Sequence, residues 1–163
     1  MYDTILLAFR VERRSVALCQ FRGLALEYCT KRELPTGEKE AERSVLDFVR
    51  RACERFSPAR IAVESEDRLS DRRATFVRLL SQVATDHGVP LWRISQETLF
   101  GAFGEPPLRS RAELRRIAGG LWPQLVDRRF SKGTLDAAAL GLNVQVDAQL
   151  RAHEAEGAHD VAV

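Results

Sequence analysis

The chain is expected to be an α/β domain built on a mixed five-stranded sheet, three antiparallel strands followed by parallel crossover strands, with helices on its faces. Three observations lead there. Residues 3–31 hold one continuous apolar run and two runs that alternate apolar and polar, separated by tight turns, as in an antiparallel meander. Residues 59–94 then alternate strand, helix and strand, which implies a right-handed parallel crossover. Late in the chain, LDAAALGL (residues 135–142) is apolar nearly all round apart from Asp136, as befits a helix buried in a core.

Taken in order, DTILLAFR (residues 3–10) is the first strand, and residues 15–21 and 24–31 are the next two. Their turns fall at Glu12, Arg13 and Arg14 and at Arg22 and Gly23. Leu34, Pro35, Thr36 and Gly37 form a breaker that suits neither strand nor helix. Through residues 38–56, Ala41, Val45, Phe48, Val49 and Ala52 recur at helical spacing, with Leu46 and Cys53 widening the stripe. After the break at Ser57 and Pro58, Ile61, Ala62 and Val63 read as a short buried parallel strand that carries one carboxylate, Glu64, at its far end. That is the edge of an α/β sheet where ligands bind.

A charged loop at residues 66–71 leads into a helix over residues 72–86, with a stripe of Phe76, Leu79, Leu80 and Val83 and Gly88 as its left-handed stop. Residues 89–94 form another strand, placed at or near an edge because Pro90 has no amide to donate. Ser95 caps a short helix at residues 96–100, and residues 101–107 form a loop. Ser110 and Glu113 make a capping box for a helix reaching about Leu121. The last helix is expected from Gly133 to about His153, leaving one domain over residues 1–154 and a flexible tail at 155–163.

A chain of 163 residues can bury roughly two thirds of its unfolded surface as a single domain, without disulfides or a structural metal. Cys19, Cys29 and Cys53 are odd in number and lie in apolar contexts, so they read as buried free thiols of a reducing cytoplasm. No basic leader precedes the first apolar run and no run is long enough to span a bilayer, so a soluble, cytoplasmic protein with no membrane partner is expected. The net charge of +2 is unevenly spread: residues 147–163 carry -3 and the remainder +5. Between residues 109 and 132, Arg109, Arg111, Arg115, Arg116, Arg128, Arg129 and Lys132 face only Glu113 and Asp127. Guanidinium groups pair well with phosphate oxygens, so this segment is the candidate nucleic-acid-binding surface, a solvated helix face being the plainer alternative.

The order of three antiparallel strands, helix, strand, helix, strand and helices is that of the ribonuclease H-like fold. Within it, Glu64 ends the fourth strand, and Asp136 is a charge inside an otherwise buried helix, where it calls for a partner. The matching stretches are ILLAFRVERRSVAL, RIAVESE, RATFVRLLSQVATDHGVPLWRIS, LFGAFGEPPLRSRAELRRIAGGL and LDAAALGL. On these, the chain resembles the RuvC-type Holliday junction resolvases from residue 4 to about 145.

The resemblance implies a dimeric nuclease acting on branched DNA, with four carboxylates holding two divalent metal ions that activate water and stabilise the leaving oxygen. By it, Glu64 and Asp136 are the catalytic and metal-binding residues, vestigial if the chain is inactive. The aspartate expected on the first strand falls near Phe9 and the earlier aspartate of the last helix at Gly133, so two ligands are missing. Arg10 next to Phe9 is placed to replace the metal's charge by pairing with Glu64. The expectation is therefore a resolvase-like protein that binds DNA, with branched DNA and a homodimeric state the candidates the resemblance brings, without nuclease activity and with no cofactor. Two alternatives stay open: an active structure-specific endonuclease using Mg2+, and a non-catalytic protein-interaction dimer on the same fold.

Overall fold

In the computed structural model, residues 3–65, 70–126 and 131–160 are described. The expected meander is present: β1 (Ile5–Val11), β2 (Ser15–Arg22) and β3 (Ala25–Glu33) pair antiparallel in sequence order. Gly23 turns the second hairpin with φ of 56°, a left-handed conformation that glycine adopts without a Cβ penalty. Helix α1 (Glu38–Phe56) then returns the chain to β4 (Arg60–Ser65), parallel to β1 on its free side. Helix α2 (Asp71–Asp86), capped by the Ser70 hydroxyl, crosses over to β5 (Leu91–Ser95), parallel to β4. The sheet order is β3-β2-β1-β4-β5, so β1 is central and β5 is the edge that Pro90 predicted, beginning just after that proline.

Helices α3 (Gln96–Phe103), α4 (Arg111–Leu121) and α5 (Ser131–Asp160) follow, with a single 3-10 turn at Pro123–Leu125. The α4 cap departs slightly from a capping box. Ser110 Oγ accepts from the Glu113 amide, but the Glu113 carboxylate reaches one residue further back, to the amide of Arg109 at 2.7 Å. Helix α5 does not stop near His153 but continues to Asp160, so the tail expected from Ala155 is helical over those residues. Ala152, Ala155, Ala158, Glu154 and Glu156 are strong helix formers, and propensity carries the exposed turns where no apolar stripe remains.

Strand alternation splits the core into two layers. Leu7, Phe9, Val11, Ile61 and Val63 face α1 and α2, while Leu6, Ala8, Ala62 and Phe21 face α4 and the alanine-rich turns of α5. Small residues let α5 lie close to the sheet. A Cβ at Gly141 would fall 2.4 Å from the fully buried Phe21 ring and 3.2 Å from the Cβ of Ala8. Gly141→Ala is therefore expected to destabilise by about 1–3 kcal/mol through overpacking, against the gain in helix propensity that alanine normally brings. A urea titration with an unchanged m-value and a lower midpoint would show it. An equal or higher midpoint would mean that α5 sits further from the sheet.

Candidate functional site

Phe9 pairs with Val63 across the parallel β1 and β4 strands, and the next residue of each, Arg10 and Glu64, turns to the α5 side of the sheet. Both are buried, at 7 % and 4 % exposure, and Arg10 Nη1 donates to Glu64 Oε2 at 2.7 Å. The expected Arg10 partner of Glu64 is thus present. The placement of Phe9 at the ligand position is corrected. Period-two alternation sends the Phe9 ring to the opposite layer, edge-on to Phe48 at a centroid distance of 6.3 Å, and it is Arg10 that β1 directs into the site.

Asp136, 1 % exposed, enters the same pocket from the second turn of α5. Helix α4 supplies the remaining groups. Arg111 donates to both oxygens of Glu64, at 2.5 and 3.1 Å, and also to the Gln96 side chain at 3.0 Å. Arg115 forks onto both oxygens of Asp136 at 3.1 and 2.9 Å. Arg10 Nε and Arg111 Nη1 each lie 3.6 Å from Asp136 Oδ2, so the two pairs form one network. Glu12, at the first turn, borders it with Oε1 4.0 Å from Arg10 Nε. A Cβ at Gly133, one helical turn before Asp136, would come within 3.5 Å of that same Glu12 oxygen.

Of the residues expected to touch nucleic acid, Arg111 and Arg115 point inward and hold carboxylates, with only 17 % and 24 % of their side chains exposed. The signal was in the sequence. Arg111 and Arg115 are four apart and share a helix face with the buried Leu114 and Ala118, so an α4 packed on the core must turn them inward as well. Arg109, Arg116 and Lys132 are exposed, and Arg128 and Arg129 lie outside the described residues. The aromatic side chains near the segment are packed rather than displayed: Phe100 is buried beneath Arg111, and Trp122 stands edge-on to Phe21 at 6.1 Å.

Three guanidinium groups surrounding two carboxylates make an electropositive pocket in which both acids are hydrogen-bonded. Magnesium demands a near-ideal shell of oxygen ligands. Here every oxygen of Glu64 and Asp136 already accepts from an arginine, and a dication placed among them would meet three positive charges. Among the described residues no group of three or more His, Cys, Asp or Glu side chains is arranged to hold a metal ion. The donor set, as these arginines hold it, does not suit a divalent metal.

No protein-family model matches the chain, and no curated protein matches it by sequence. Solved structures do. RuvC of T. thermophilus, in complex with a Holliday junction substrate, superposes with a TM-score of 0.72 at 16 % identity, over 86 % of this chain and 92 % of that one. The fowlpox virus resolvase, in complex with substrate Holliday junction DNA, gives 0.63 at 12 % identity, over 88 % and 98 %. The yeast mitochondrial Holliday junction resolvase Ydc2 gives 0.60 at 11 % identity, over 93 % and 83 %. The chain has the RuvC-like, ribonuclease H-like fold of these resolvases. No described helix is long and apolar enough to cross a membrane.

Proposed function

We propose that this protein is a resolvase-like nucleic-acid-binding protein that holds branched DNA without cutting it. One observation carries the loss of cleavage: Arg10, Arg111 and Arg115 occupy the oxygens of Glu64 and Asp136, the carboxylates that a metal-dependent relative would offer to its ions. Glu64 and Asp136, held by arginines, are not free to activate a water at phosphorus, and guanidinium groups do not give up a proton near neutral pH. The DNA reading is supported by the fold it shares with RuvC and the fowlpox resolvase, both solved on junction DNA, and by the exposed cations Arg109, Arg116 and Lys132 around α4 and the start of α5.

With Arg111 and Arg115 engaged internally, these three exposed cations are the ones that the described residues of the segment offer to phosphate. Neutralising three phosphates corresponds to a slope of roughly -2.7 for log K against log salt on duplex DNA. Fluorescence anisotropy on a four-way junction, a duplex and a single strand is expected to show salt-sensitive binding with that slope, flattened when Arg109, Arg116 and Lys132 are changed together to alanine. Magnesium or manganese should leave each DNA intact. Failure to bind all three at low salt would remove the nucleic-acid reading. Junction cleavage that disappears in Glu64→Gln would remove the non-cleaving one.

A further inference from the structure

We propose that Cys19 and Cys29 form a vicinal dithiol site that reacts with small disulfides of the glutathione disulfide class and closes into a disulfide across β2 and β3. The two cysteines are direct partners in the antiparallel register, and their sulfur atoms lie 2.9 Å apart. Opposed residues of antiparallel strands have Cα atoms about 4.5–5.5 Å apart, inside the span of about 4.4–6.8 Å that a disulfide accepts, so closure needs little backbone movement. The expectation of buried free thiols holds for Cys19 and Cys53 but not for Cys29. Cys29 is only half-buried and lines an open cleft of about 190 Å³ beside Tyr28 and Leu125.

Unequal exposure divides the roles. Burial, reinforced by the neighbouring Cys29 sulfur, pushes the Cys19 thiol well up, so Cys19 stays protonated and waits. Cys29 meets the reagent first: its thiolate attacks one sulfur of the small disulfide, breaks that bond and releases one small thiolate. Cys19 then attacks the Cys29 sulfur of the mixed disulfide, forming the Cys19–Cys29 bond and breaking the bond to the small sulfur, which leaves with the Cys19 proton as the second small thiol. Two protein thiols are oxidised and one small disulfide is reduced to two thiols. Cys53 has no part in this. It lies in the other core layer, on the buried face of α1, and burial raises its thiol to about 11.

The site also touches the carboxylate pocket. The Cys19 thiol donates to the carbonyl of Thr134 at 3.4 Å, in the α5 turn that leads directly to Asp136. Closing the disulfide withdraws that proton from the turn.

The test is to incubate the folded protein with glutathione disulfide at neutral pH, trap free thiols by alkylation and map the peptides by mass. The expected product is a Cys19–Cys29 linked peptide, with Cys53 alkylated only after unfolding. Cys53→Ser should leave the reaction unchanged, Cys29→Ser should abolish it, and Cys19→Ala should stop it at a glutathione adduct on Cys29. Phenylarsine oxide, which bridges paired thiols, should bind once per folded chain and block the reaction. A lasting glutathione adduct on Cys29 of the unaltered protein would overturn the proposal, as would a linked peptide that forms only in denaturant.

Discussion

Replacing Glu64 by glutamine is expected to lower the stability of the fold by about 3–5 kcal/mol, the usual cost of stranding the partner of a buried ion pair. At about 2–4 °C per kcal/mol for a domain of this size, the thermal midpoint should fall by roughly 6–20 °C. The amide keeps the shape but not the charge. Arg10, only 7 % exposed, and Arg111 would then face each other across a neutral group whose own N–H donors point at theirs. The direction of the effect discriminates between two kinds of site. In a metal-ligating cluster the carboxylates repel one another when no ion is present, so removing one charge relieves the fold or leaves it unchanged. A calorimetric midpoint for Glu64→Gln at or above that of the unaltered protein would therefore contradict an arginine-neutralised pocket.

The second large effect concerns two adjacent arginines that sequence reasoning treated alike. Arg115→Ala removes the fork from Asp136, which is 1 % exposed, and is expected to cost about 3–5 kcal/mol. Arg116→Ala, on the exposed side of the same helix, should stay within about 0.5 kcal/mol. On DNA the order should reverse, with Arg116→Ala reducing the salt slope while leaving the fold intact. Guanidinium chloride titrations of the two variants, followed by circular dichroism, measure the first contrast directly. Equal destabilisation by both would show that α4 does not present Arg115 to Asp136.

Much of the architecture was legible in the chain. The Arg22-Gly23 turn, the Pro35 and Gly37 breaker, the apolar Ile61-Ala62-Val63 run and the Gly88 stop are local signals, each set by what one or two residues permit their own backbone to do. They located all five strands and the crossover. Glu64 and Asp136 were also legible, because a charge in an apolar run is conspicuous wherever the run packs. The far end of α5 was not, since beyond Leu150 no apolar periodicity marks a stop and helix propensity sustains the last turns.

What the linear order could not decide was direction. Phe9 and Arg10 are neighbours in sequence, and which of them enters the pocket is a one-residue question of strand phase. It is answered by the pairing of Phe9 with Val63 and by the α1 layer that takes the Phe9 ring. Similarly, the sequence shows a dense run of arginines after residue 108, but charge density says nothing about which face of α4 meets α5. Docking of α4 through Leu114 and Ala118 divided that run, turning Arg111 and Arg115 onto two buried acids and leaving Arg109 and Arg116 in solvent. Residue types and local periodicity determined the elements and the two carboxylates. Only the packing of α4 and α5 on the sheet decided that those carboxylates would be met by arginine, because an ion pair between residues 47 positions apart exists only once both helix and strand have been placed.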